Sequence, residues 1–128
     1  MMKNYSNKIN TQDKKAIQLF TDIGFKENFA KTLIYISKNG GCSSFEIEQE
    51  TKQRQPEVSA AMQELIGKGW IIKNDFRKKR KGRPVQIYKL AFPLDKILIK
   101  IEIEKIRELE KTKKDISILK TLIKRKSH

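Results

Sequence analysis

The sequence predicts a mainly α chain with one small β-hairpin, and three observations carry that expectation. Apolar residues recur at three- and four-residue steps through most of the 128 positions, as on one face of an α-helix. The pattern breaks at Trp70-Ile71-Ile72-Lys73 and Val85-Gln86-Ile87-Tyr88-Lys89-Leu90-Ala91, two runs rich in the β-branched and aromatic residues that strands prefer. Between them stands Arg77-Lys78-Lys79-Arg80-Lys81-Gly82-Arg83-Pro84. Its glycine permits unusual φ and its proline denies a ladder hydrogen bond, which suits the tip of a hairpin.

The elements follow in order. Residues 1–10 are polar and without period, and read as a flexible arm. From Thr11, Ile17, Phe20 and Ile23 keep helical spacing up to Gly24, giving a first helix of about three turns. A second helix starts near Lys26, with Phe29, Leu33, Ile34 and Ser37 on one face, and ends at Gly40-Gly41. Ser43 with Glu46 three residues on forms the capping-box pattern, so a short third helix is expected over Ser44 to Thr51, with Phe45 and Ile47 as its apolar content.

After a break at Lys52-Gln53-Arg54, Pro56 sits in the first turn of a fourth helix with Gln55 as its cap. This helix runs to about Lys68. Val58, Ala61, Met62 and Leu65 form its inner stripe, leaving Glu57, Ala60, Gln63, Glu64 and Gly67 outward and Ser59 on the flank. Two short helices joined by a tight turn make a helix-turn-helix candidate. The hairpin comes next. After Pro93 the chain has neither glycine nor proline, and Ile106, Leu109, Ile116, Leu119 and Ile123 fall at steps of three, four and seven. Ile97, Ile99, Ile101 and Ile103 alternate as a strand would, but Leu94, Ile97, Leu98 and Ile101 also fit a helical face, and helix is preferred. Lys113-Lys114-Asp115 marks a candidate break or kink.

Composition narrows the function. Lys and Arg number 29 against 15 acids, a formal charge of +14, and residues 73–83 hold seven basic residues against the single Asp75. Such a chain favours an acidic polymer, nucleic acid before membrane. Its acids cluster as helix-face charges, and the only cysteine, Cys42, and only histidine, His128, are far apart in sequence, so no catalytic constellation, zinc site or cofactor site is expected. Cys42 before a helix start reads as structural, with redox sensing as the alternative. No signal-peptide core and no run of about 18 apolar residues is present, so a cytoplasmic protein with no membrane span is expected.

Helix, helix, helix-turn-helix and β-hairpin in that order is the winged helix-turn-helix plan. The chain resembles the TrmB-like transcriptional regulators, relatives of the MarR and ArsR groups, over about residues 12–92. The resemblance rests on Gly24-Phe25 with Glu27 opening the second helix, Gly40 after it, Arg54, Pro56 and Val58 at the start of the fourth helix, and Leu65 with Gly69 at its exit. The family's glycine before the recognition helix is replaced here by Lys52 or Gln53. The chain also ends where some relatives continue into an effector-binding domain, so no small-molecule effector is carried over.

The resemblance implies a regulator that binds double-stranded DNA, with residues 11–92 as the winged domain and residues 93–128 as a dimerisation helix with a basic tail. The fourth helix, about 55–68, would enter the major groove. Arg54, Gln55 and Gln63 are the candidate base readers, since arginine suits guanine and glutamine suits adenine, with Lys52 and Ser59 placed for phosphates. Arg77, Lys78, Lys79, Arg80, Lys81 and Arg83 form the wing. Arg83, in a Gly-Arg-Pro setting like that of minor-groove hooks, is the candidate for groove insertion, with a phosphate clamp or a merely solvated loop as alternatives. Leu94, Ile97, Leu98, Ile101, Ile106, Leu109, Ile116, Leu119 and Ile123 are the candidate homodimer stripe, with packing onto the first helix as the alternative. Two other classes stay open at this stage: an interaction or RNA-binding module of a larger assembly, and a helix lying on anionic membrane, which the acids at 102, 104, 108 and 110 oppose.

Overall fold

The computed structural model describes residues 8–76 and 85–126. Residues 1–7 of the arm expected at 1–10, and the wing tip at 77–84, lie outside the described residues. The chain divides into two compact units, one up to Pro93 and one from Leu94 on.

In the first unit, α1 (Thr11–Asp22) opens on a reciprocal cap. Asn10 Oδ1 accepts the Asp13 amide at 2.8 Å and Asp13 Oδ2 accepts the Asn10 amide at 2.9 Å, so two orphan donors are satisfied at once. Lys38 of the next helix pairs with the same carboxylate, which ties the start of α1 to the end of α2 (Glu27–Asn39). Ile17 and Phe20 are buried as expected, but Ile23 is not. It lies past the last helical turn as the C-cap, where the chain is already reversing through Gly24 at φ 109, and is 47% exposed.

The centre of this unit is α2. Phe29, Ala30, Thr32, Leu33, Ile34, Tyr35 and Ile36 are all buried, more than a single stripe, because α1, α3 and α4 all pack around it. A row of rings runs through the core: Phe20 meets Phe25 edge-on at 5.9 Å, Phe25 stacks on Phe29 at 4.8 Å, and Phe29 meets Trp70 edge-on at 6.1 Å. Such pairs contribute about 0.5–1.5 kcal/mol each beyond their buried area.

The third helix, α3 (Ser44–Thr51), has the expected bounds, but only half of its cap is as expected. Ser43 Oγ accepts the Glu46 amide at 3.1 Å. The Glu46 carboxylate turns instead to accept the buried Tyr35 hydroxyl at 2.9 Å, a buried donor being costlier to leave unpaired than an exposed amide. Phe45, at 67% exposed, adds nothing to the core, and Ile47 carries the contact.

Next, α4 (Gln55–Gly67) begins one residue earlier than expected: Arg54 is the N-cap and Gln55 the first helical residue. Its inner stripe is Val58, Ala61, Met62 and Leu65, as expected.

Two antiparallel strands, β1 (Ile71–Phe76) and β2 (Val85–Leu90), form the hairpin in a register from Ile71 opposite Leu90 to Phe76 opposite Val85. A further bridge joins Cys42, between α2 and α3, to Tyr88 of β2, with N–H···O bonds of 3.0 and 2.8 Å. Beside it Gly41 has no room to spare: a Cβ there would stand 3.1 Å from Ile87 Cγ2 and 3.4 Å from Lys89 Cγ.

The second unit is one uninterrupted helix, α5 (Leu94–Lys126). The alternation of isoleucines at 97–103 therefore does not produce a strand, and Lys113-Lys114-Asp115 does not end the helix. Lys111 pairs with Asp115 across one turn at 3.0 Å, which helps the helix through this charged stretch. Ile97 and Ile101 are buried, whereas Leu98, Ile106, Leu109, Ile116, Leu119 and Ile123 remain exposed.

Candidate nucleic-acid interface

The turn between α3 and α4 decides what α4 presents. Lys52 closes α3 in the left-handed conformation, φ 56 and ψ 43, a geometry that glycine adopts more readily than other residues. Gln53 then turns inward. Its side-chain amide donates to Thr51 Oγ1 at 2.7 Å and to Thr32 Oγ1 at 3.2 Å, while Thr51 donates to the Ile47 carbonyl at 2.6 Å. This buried chain of bonds links the turn to α2. At the start of α4, Asn28 of α2 donates to the Glu57 carbonyl at 3.0 Å, and Glu57 Oε1 accepts the Arg54 amide at 2.8 Å. The first turn of α4 is thus held from two sides.

Lys52, Arg54, Gln55, Ser59 and Gln63 are all exposed. Lys52, Arg54 and Gln55 gather at the N-terminal end of α4, where the helix dipole also favours an anion, and Ser59 and Gln63 follow at four-residue steps on the outer face. Five of the eleven candidates are therefore brought together. Arg77, Lys78, Lys79, Arg80, Lys81 and Arg83 fall outside the described residues. Exposed Lys73 on β1 lies just ahead of them.

Two residues that position this surface went unnoticed in the sequence: Gln53 and Asn28. Gln53 looks like any polar turn residue, and Asn28 like any first-turn asparagine; neither carries a local signal of its distant partner. Among the described residues no group of three His, Cys, Asp or Glu side chains could hold a metal. Cys42 is buried, and its thiol is pushed up to about 12 by desolvation and by the nearby Glu46 carboxylate. That is the reverse of a reactive thiolate and favours the structural reading of Cys42 over redox sensing.

Solved structures share this arrangement. MepR from S. aureus, in complex with DNA, is 18% identical over 88% of this chain and 89% of its own, with a TM-score of 0.50. A "possible transcriptional regulator" from Methanosarcina mazei Go1 is 13% identical over 90% of this chain and 96% of its own, with a TM-score of 0.56. The fold is a winged helix-turn-helix. NadR in complex with 4-hydroxyphenylacetate shares the winged-helix fold too, at 13% identity over 96% of this chain and 94% of its own, with a TM-score of 0.52. No family model and no curated protein matches the sequence.

Proposed function

We propose that this chain is a sequence-specific, double-stranded DNA-binding transcriptional regulator of the TrmB-like kind that acts as a homodimer. The observation that carries the proposal is the outward face of α4, held rigidly by Gln53, Asn28 and Glu57 while Lys52, Arg54, Gln55, Ser59 and Gln63 stand exposed along it. In this reading α4 lies in the major groove, Lys52 and Ser59 meet phosphates, and Arg54, Gln55 and Gln63 approach base edges. The basic loop at 77–84 meets the minor groove or the flanking phosphates. No catalytic step is assigned to the chain.

The dimer rests on α5. Leu98, Ile106, Leu109, Ile116, Leu119 and Ile123 are exposed in the single chain, and a helix of this length with so many bare apolar side chains is stabilised by a second copy. Two copies related by a two-fold axis would set their α4 helices about 34 Å apart and call for a pseudo-palindromic site.

The test is selection of duplexes from a randomised pool, followed by anisotropy titrations over a range of salt. A recovered palindrome and a log–log salt slope that steepens by about 0.9 per phosphate contacted are expected. No recovered motif, together with a flat salt dependence, would overturn the reading. Light scattering that gives a monomer at micromolar concentration would overturn the dimer.

A further inference from the structure

Resting on the reading of α4 as the groove-entering helix, we propose that α4 selects adjacent A·T base pairs, with Gln63 reading adenine and Ala60 packing on a thymine methyl. The chain holds 29 basic residues, yet none lies between Gln55 and Gly67. The commonest specific contact to DNA, arginine or lysine on guanine O6/N7, is therefore missing from the body of the helix. What the helix offers instead can be read round its circumference.

With Val58, Ala61, Met62 and Leu65 buried, the middle of the opposite face falls on Pro56, Ala60, Gln63 and Gly67, spaced four, three and four residues apart. Gln63 is the one hydrogen-bonding side chain on that line. Its amide matches adenine N6/N7 in two bonds, donor to acceptor and acceptor to donor. Ala60 lies one turn earlier, a rise of about 4.5 Å. A base-pair step is about 3.4 Å, so the Ala60 methyl reaches the neighbouring pair, where a thymine methyl is its apolar match.

The two acids do not compete for this line. Glu57 is engaged with the Arg54 amide, and Glu64 stands to one side of the central row. Gly67 adds a second observation. It is helical, its φ is not positive, and a Cβ there would meet nothing within 4 Å, so the fold itself does not ask for glycine. A close groove wall would. Address and affinity are then largely separate in the molecule: neutral groups on α4 choose the central pairs, Arg54 approaches bases only at the helix start, and the other cations outside α4 hold the phosphates.

The experiment uses the full chain. Sites are selected from randomised duplexes, then titrated with wild type, Gln63→Ala and Ala60→Gly, and with duplexes in which deoxyuridine replaces thymine or 7-deazaadenine replaces adenine. Circular dichroism confirms that each variant is folded. The expected result is a half-site with adjacent A·T pairs at its core, and a roughly 5- to 150-fold loss of discrimination at one of them in Gln63→Ala, with binding to unselected duplex unchanged. Removing the thymine methyl should weaken wild type and leave Ala60→Gly unaffected. A selected G·C core, or an A·T core indifferent to Gln63→Ala and to 7-deazaadenine, overturns this assignment and leaves the DNA-binding reading standing. Absence of any duplex binding, or binding to RNA alone, overturns both.

Discussion

Lys52 is held at φ 56 and ψ 43, and two substitutions there separate the backbone from the charge. An L-residue in this left-handed region is less favourable than glycine by about 1–2 kcal/mol. Lys52→Gly removes that strain, but the unfolded glycine chain gains freedom worth about 0.5–1 kcal/mol, so the variant should be neutral or about 1 kcal/mol more stable. Lys52→Val places a β-branched residue where it is a steric outlier, and should lose about 1–2 kcal/mol relative to wild type. In a domain of this size each kcal/mol moves Tm by about 4–8 °C, so glycine should melt at least about 5 °C above valine in a circular dichroism scan. Valine melting with glycine would refute the assigned turn geometry. Both variants lose the same charge, and on DNA both should flatten the salt slope by about 0.9 if Lys52 contacts a phosphate. An unchanged slope would place Lys52 off the backbone.

Other expectations follow from the core and the caps. Asn10→Ala should cost about 1 kcal/mol in urea unfolding, since it strips the reciprocal cap of α1. Desolvation pushes the Asp13 carboxyl up, but the Asn10 amide and Lys38 outweigh it and hold the group below its ordinary 3.8. Stability from this group is then present above about pH 4 and is lost as pH falls through the lowered value; denaturation series at pH 2 to 6 should show a shallower acid limb in Asp13→Asn. Phe29→Ala removes the ring between Phe25 and Trp70, and should cost about 3–5 kcal/mol by denaturant midpoint. Cys42, buried with its thiol near 12, should resist a thiol reagent at pH 8 until urea unfolds the chain, and peroxide should leave duplex binding unchanged.

Periodicity made the helices legible because α2 and α4 bury stripes that only a helix collects: Phe29, Leu33 and Ile34, then Val58, Ala61, Met62 and Leu65. The hairpin was legible from β-branched residues around a glycine-proline corner. What local pattern does not encode is the partner across space. Glu46 looked like half of a capping box until the Tyr35 hydroxyl, eleven residues away, proved the more demanding donor. Gln53 read only as part of a polar break between helices; two threonine hydroxyls, one on α2, draw it inward. The isoleucines from 97 to 103 satisfied both periods, and sequence decided between them only through the absence of any turn residue. At the candidate interface, residue type identified the polar members, but Ala60 carries no chemical label and becomes informative only when the exposed arc is drawn.

The bridge between Cys42 and Tyr88 is made by main-chain atoms alone. The hydrogen bonds that fasten the hairpin to the helices therefore do not use the side chains at 42 and 88, although the buried Cys42 side chain still has to fit the core around it. Gly41 beside it is tight as well, because a Cβ there would press on Ile87 at 3.1 Å. The hairpin is thus tied to the helices at two places in the chain, through its own start after α4 and through the Cys42–Tyr88 bridge.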